Sequence, residues 1–219
     1  MSAVFEVDPL RPAEAAEAVE AATEALKAGD LVILPTETVY GIASRPDDPE
    51  ATGRLFEAKR RPAGLNLPVL ASSAEEAFGL VEANETARRL AAAFWPGPLT
   101  MVLPRGARSR EWPLGDEKGT AGVRVPDHAL SLALLRRAGP LAATSANVSG
   151  AAPLNDRAAL QQTFGEAVAV YILARTVTSP VAGVSSTVVD LTGDQPRVLR
   201  EGPIEASRLA AVGGFGGLE

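Results

Sequence analysis

The clearest hydrophobic block is residues 31–35, Leu-Val-Ile-Leu-Pro, which stops abruptly at Thr36-Glu37-Thr38 and then Val39-Tyr40-Gly41. An unbroken apolar run marks a strand buried on both faces, the pattern of a parallel sheet. In open α/β sheets, ligands bind beyond the carboxyl ends of such strands. Two hydroxyls, a carboxylate and a phenol therefore stand where such a fold keeps its chemistry. An ordinary strand followed by a polar turn would give the same pattern. The handover recurs, however. A short apolar run at 140–143 opens into Thr144-Ser145-Ala146-Asn147-Val148-Ser149-Gly150, and Gly183-Val184-Ser185-Ser186-Thr187 leads into a strand over 187–191.

Periodicity predicts the elements between these points. Residues 12–28 carry Ala15, Val19, Ala22 and Leu26 on one helical face, with Pro12 at the start and Gly29 just past the end. Asp48 caps a second helix with Pro49 in its first position, running through Leu55 and Phe56 to Ala58. Further helices are expected over 73–81, 84–94, 127–138, 156–164 and 205–210. Strands are expected over 67–71, 99–103, 120–125, 167–174 and 197–200. Trp95-Pro96-Gly97-Pro98 reads as a stiff corner with an aromatic plug. Residues 104–119 form a long polar loop carrying Arg105, Arg108 and Arg110, a length that often marks a functional or mobile segment. There is no internal repeat and no low-complexity linker. One domain over 1–212 is expected, with a flexible Gly-rich tail at 213–219.

Two basic stretches change this picture. In Lys59-Arg60-Arg61-Pro62 the proline pushes the chain toward extended geometry, and alternate residues of an extended chain point the same way. Lys59 and Arg61 would then project together, a compact ammonium beside a planar fork, which suits anionic oxygens. A basic last turn that only complements the helix dipole is the plainer alternative. In Thr120-Ala121-Gly122-Val123-Arg124-Val125, alternation puts Thr120, Gly122 and Arg124 on one face. An arginine among apolar neighbours is costly unless it is paired or liganded, and an internal ion pair remains open. His128, the sole histidine, is expected to be solvated or to cap a helix.

Composition excludes several classes. The 219 residues are 46% hydrophobic and 22% charged, as in an ordinary globular protein. Absence of cysteine removes disulfides, thiolate metal sites and cysteine nucleophiles. The start MSAVFEVDPLRP has no signal-peptide pattern and no apolar run is long enough to span a membrane, so a cytoplasmic protein is expected. A net charge of −6 argues against a nucleic-acid coat, yet leaves room for a local basic pocket. There is no GxxxxGK, no GxGxxG opening a helix and no His/Asp/Glu cluster for a metal. What remains is three hydroxyl-rich strand ends and the cations Lys59, Arg61, Arg124 and Arg200, a combination suited to a phosphorylated ligand.

Seven stretches in order, PTETVYGIA (35–43), KRRP (59–62), FWPGPLT (94–100), TAGVRVPDH (120–128), AATSANVSG (142–150), GVSSTVVD (183–190) and VLREGP (198–203), resemble the threonylcarbamoyl-AMP synthases, the YrdC-like domain family. The resemblance covers nearly the whole chain. It implies a single α/β domain, a twisted mixed sheet flanked by helices around a deep basic cavity. It implies the joining of L-threonine, bicarbonate or CO2, and ATP with its magnesium into threonylcarbamoyl-AMP and pyrophosphate. A partner complex would then carry the threonylcarbamoyl group to tRNA next to the anticodon, with a weak tRNA contact by this chain. By the same resemblance Lys59 and Arg61 are catalytic and face the ATP phosphates. Thr120, Ser145, Asn147 and Arg200 lie on the nucleotide, and Thr36, Arg124, Ala143 and Ser186 on threonine. Relatives that read NPLxVH after KxRP have a histidine where this chain has Asn66-Leu67-Pro68-Val69-Leu70-Ala71-Ser72, so any histidine contact there is missing. The chain ends soon after VLREGP, as in the single-domain type. The rival expectations are an RNA-binding module of the same fold and a carbamoyl-adenylate module like that of hydrogenase-maturation proteins.

Overall fold

The computed structural model describes residues 2–8, 11–175 and 183–216. In chain order these form β1 (Ala3–Val7), α1 (Pro12–Lys27), β2 (Leu31–Leu34), β3 (Gly41–Ser44), α2 (Pro49–Lys59), β4 (Val69–Leu70), α3 (Ala74–Phe78), α4 (Glu85–Phe94) and β5 (Leu99–Pro104). They continue as β6 (Thr120–Arg124), α5 (Ala129–Ala138), β7 (Leu141–Ser145), α6 (Arg157–Phe164), β8 (Val168–Ala174), β9 (Thr187–Asp190), β10 (Arg197–Arg200) and α7 (Ala206–Gly213). All the strands join one sheet in the order β1-β8-β2-β3-β7-β4-β6-β5-β9-β10, with parallel and antiparallel neighbours mixed.

The two-residue period of β2 splits the core. Leu31 and Ile33 point to one face with Leu55 of α2, Leu90 of α4 and Leu209 of α7. Val32 and Leu34 point to the other face, against Val19, Ala22 and Leu26 of α1 and Leu130 and Leu134 of α5. A strand sandwiched this way must be apolar at every position, which is why it reads as an unbroken run. Helix starts follow their caps: the side chains of Asp48, Ser73, Asn84 and Asp156 each accept a backbone N–H of the first turn, each worth about 1 kcal/mol.

Several expectations give way. β2 is parallel to β8 but antiparallel to β3, because residues 35–40 turn the chain straight back and pair Leu34 with Gly41. β3 and β1 carry too short an apolar signal to stand out in the sequence. The KRRP segment is a helix stop and not an extended strand. Lys59 is still helical, and Arg60 adopts the left-handed conformation at φ 50, ψ 42. The Arg60 and Arg61 amides return to the carbonyls of Glu57 and Phe56, the closing pattern common at helix ends. The loop at 104–119 is pinned by Arg105, 4% exposed, which donates to the carbonyls of Trp112, Glu117 and Thr120 at 2.8–2.9 Å. His128 precedes α5 but its side chain caps nothing, and it is buried at 5% exposure. At the chain's end Gly214 closes α7 in the left-handed region and Phe215 packs on the core. Residues 217–219, like residues 176–182, lie outside the described residues. Among the described residues no helix is long and apolar enough to cross a membrane.

Candidate functional site

β2, β3 and β7 bring Thr36, Gly41 and Ser145 to one end of the sheet, where a cavity of about 300 Å³ opens over β6 and β5. That volume is at the low end for small-molecule sites. Eight of the ten residues that the resemblance assigned line it: Thr36, Arg61, Thr120, Arg124, Ala143, Ser145, Ser186 and Arg200. They come from chain segments spread over more than 160 positions. The alternation expected for β6 holds for Thr120, Gly122 and Arg124 on the cavity side and Val123 in the core, while Ala121, packed in the core, also borders the cavity.

The three arginines are held alike. Arg61 donates from Nε to the Leu65 carbonyl (2.8 Å) and from Nη2 to the Asn66 carbonyl (2.9 Å). Arg200 donates from Nε to the Ser186 carbonyl (3.0 Å) and from Nη2 to Ser186 Oγ (3.1 Å). Arg124 donates from Nε to the Gly97 carbonyl (3.1 Å), and from Nη2 to Glu37 Oε1 (2.6 Å) and Thr38 Oγ1 (3.0 Å). Each guanidinium is therefore fixed along its Nε–Nη2 side. Each keeps its Nη1 amino group without a partner among the described residues. A guanidinium has five N–H donors in a rigid fork, so fixing one side aims the other.

The closeness of the other two arginines registers in the acidity of Arg200. Burial pulls Arg61 below the usual arginine range. Burial, then Arg124 and Arg61, does the same for Arg200. Arginine stays protonated in either case, so the cavity carries a permanent positive field. Among the described residues no Asp or Glu lines it. Glu37 stands behind Arg124 as its ion-pair partner, with side chains 15% and 8% exposed. The open alternative for Arg124, an internal ion pair, is thus realised, and it leaves Nη1 available.

Lys59 and Asn147 do not line the cavity. Lys59 is 1% exposed, and its ammonium donates to the carbonyls of Ser145 and Asn147 and to Asn147 Oδ1. Three donors meet three oxygens, so this ammonium is saturated. Burial, then Arg61, pushes its pKa down to about 8. Asn147 turns its amide to the carbonyls of Val148 (2.9 Å) and Ala151 (2.7 Å). The pair shapes the loop after β7 from behind the cavity wall.

The turn after β2 is set by Thr36. Its Oγ1 accepts the amides of Thr38 and Val39 and donates to the Val39 carbonyl (2.5 Å). Because its one proton goes there, Thr38 Oγ1 must be the donor in the 2.9 Å contact between the two hydroxyls. The proton and both lone pairs of Thr36 Oγ1 are thus engaged within the turn, so Thr36 shapes the cavity wall and leaves no free hydroxyl donor or acceptor for a ligand.

Sequence reasoning left three residues unassigned. Glu37 has no role that the sequence pattern reveals, since its partner lies 87 positions away. Asn66 lines the cavity and clamps residues 117–120 through its amide. Thr100 lines it and shares a 2.8 Å hydrogen bond with Ser186 Oγ; strand alternation from Met101 in the core points Thr100 outward, a signal available in the sequence. Among the described residues no group of three or more His, Asp or Glu could hold a metal ion.

Comparison with known proteins gives a consistent picture. The family model of the Sua5/YciO/YrdC domain, described as "Telomere recombination", matches residues 24–202. A Mycobacterium tuberculosis protein provisionally named threonylcarbamoyl-AMP synthase is 43% identical over 202 residues, 92% of this chain and 91% of that protein. The threonylcarbamoyl-AMP synthase of Pyrococcus abyssi is 37% identical over 190 residues, 85% of this chain but 54% of its own length. The crystal structure of P. abyssi Sua5 complexed with L-threonine superposes with a TM-score of 0.82 at 31% identity, covering 100% of this chain and 62% of that one.

Proposed function

The chain belongs to the Sua5/YciO/YrdC family, and we propose that it is an L-threonylcarbamoyladenylate synthase, a nucleotidyltransferase that joins L-threonine, bicarbonate or CO2, and ATP. The observation that carries this reading is the trio of unpaired Nη1 groups from Arg61, Arg124 and Arg200 around one cavity. Six N–H donors facing one space suit two anionic partners, a polyphosphate and a carboxylate. Relatives of the chain bear the synthase name, and a structural neighbour was solved with L-threonine.

Arg61 and Arg200 would take the ATP phosphates, with Thr120 and Ser145 beside them. Arg124 would take the carboxylate of threonine, with Thr36, Ala143 and Ser186 around the amino acid. Lys59 and Asn147 would act one step back, by holding the Ser145 carbonyl and the loop that follows. ATP enters as its magnesium complex, the ion carried by phosphate oxygens and water as part of the substrate.

Chemically, the neutral amine of threonine adds to CO2 to form an N-carboxylate, and the proton it releases passes to solvent water or bicarbonate. A carboxylate oxygen then bonds to the α-phosphorus as the α–β bridging P–O bond breaks, and pyrophosphate leaves with that electron pair. Nothing in this sequence needs a covalent enzyme nucleophile. It needs alignment and donors on the oxygens that gain charge. The mixed anhydride would pass to a partner complex for transfer to tRNA, with at most a weak tRNA contact by this chain.

The test is product formation with each substrate withheld in turn. Threonylcarbamoyl-AMP and pyrophosphate should appear only with ATP, threonine and bicarbonate together. Pyrophosphate release without threonine, or stabilisation by tRNA alone, would contradict the reading.

A further inference from the structure

Arg61 and Arg200 are anchored by neutral groups only, carbonyl oxygens and one hydroxyl. Arg124 alone is anchored by a carboxylate, at 2.6 Å. The three arginines share one field, since Arg124 and Arg61 both act on Arg200. A polyanion entering this cavity would be drawn toward all three. Glu37 changes that by placing a negative charge directly behind one of them. Both Nη2 protons of Arg124 are already taken, by Glu37 and Thr38, so its free edge is a single amino group. A single amino group with a neutralised charge suits a monoanionic carboxylate. It is a poor receptor for a phosphate chain, which needs net positive charge.

We propose that Glu37 is a specificity-determining residue that reserves the Arg124 end of the cavity for the amino-acid carboxylate by repelling polyphosphate from it. The inference rests on the synthase reading above, and it extends that reading to a residue that contacts neither substrate. Its geometry has a second support. Glu37 Oε2 is buried without a protein partner, so the carboxylate faces Arg124 with its charge undiluted by other donors. The Thr36–Thr38 hydroxyl pair, which locks the turn bearing Glu37, keeps that charge in place.

The experiment measures L-threonine binding by calorimetry, with and without inorganic tripolyphosphate, for the wild type and Glu37→Gln. Glutamine keeps the size and an acceptor oxygen but removes the charge. In the wild type, tripolyphosphate should leave threonine affinity unchanged. In Glu37→Gln it should occupy the Arg124 end and weaken threonine binding by roughly tenfold, the scale of coupling between neighbouring charged sites. Equal threonine affinity with and without tripolyphosphate in Glu37→Gln would overturn the proposal. Glu37→Asp retains the charge and must keep tripolyphosphate out even if threonine binds less tightly. Competition in that variant would overturn the proposal without recourse to the glutamine protein. A wild type that binds no threonine at all would instead contradict the synthase reading, so the two failures are distinguishable.

Discussion

The ammonium of Lys59 lies 2.6 Å from the carbonyl oxygen of Asn147, at the far side of the cavity wall from Arg61. Ser149 returns the contact by donating its amide to the Lys59 carbonyl at 2.9 Å. The end of α2 and the loop after β7 are therefore tied in both directions. Lys59→Met should keep the stem of this side chain buried but free three carbonyl-side oxygens. The loop carrying Ser145 and Asn147 would lose its shape, and adenylate formation should fall by about a hundredfold or more, the scale for losing a buried charged hydrogen-bond partner. Steady-state rates for the variant check this.

The same lysine predicts a pH dependence. Its folded-state pKa of about 8 is below the ordinary 10.5. Between those values the unfolded chain holds more protons than the folded one, so this group makes stability rise with pH across that window. Below about pH 8 the buried charge costs stability in full. Comparing thermal midpoints of the wild type and Lys59→Met from pH 7 to 10.5 should show the wild type gaining on the variant. Activity should move the other way, falling above about pH 8 as the ammonium loses its third donor.

Arg61→Lys should fail to replace arginine. An ammonium cannot hold the carbonyls of Leu65 and Asn66 and still present a free amino group to the cavity. The KM for ATP should rise by roughly tenfold to a hundredfold, in line with losing a charge-assisted contact. The KM for threonine should change far less. Equal effects on both substrates would place Arg61 elsewhere in the mechanism.

Ser186 joins Arg200 to Thr100: its Oγ accepts from Arg200 Nη2 at 3.1 Å and shares a hydrogen bond with Thr100 at 2.8 Å. Ser186→Ala removes one of the two anchors of Arg200 and leaves the other, through the Ser186 carbonyl. The expected loss is about 1 kcal/mol of substrate binding, several-fold in affinity. Thermal stability should fall little, and calorimetric titration with each substrate measures the rest.

The helices were legible in the sequence because their signals are local. Asp48, Ser73, Asn84 and Asp156 each satisfy amides within three positions of themselves. The cavity-lining strand ends were legible for the same reason, since an apolar run breaking into hydroxyls marks where β2 and β7 leave the core. β3 was not, because four residues of Gly-Ile-Ala-Ser become a strand only through pairing with β2 and β7. The shared side of Lys59 and Arg61 was not either. A left-handed Arg60 closes the helix and sends one cation behind the wall and the other into the cavity. The sequence pattern puts His128 in solvent or on a cap, and the fold buries it instead. The Glu37–Arg124 pair spans 87 positions, and no local pattern reports a contact of that kind.

The central claim is that three arginines, each pinned on one side, hold ATP and threonine in one cavity. Calorimetric titration of both ligands into Arg61→Ala, Arg124→Ala and Arg200→Ala tests it most directly. Threonine binding should vanish in Arg124→Ala while ATP still binds, and ATP binding should weaken sharply in Arg61→Ala and Arg200→Ala. Wild-type affinities for both ligands in all three variants would contradict the account.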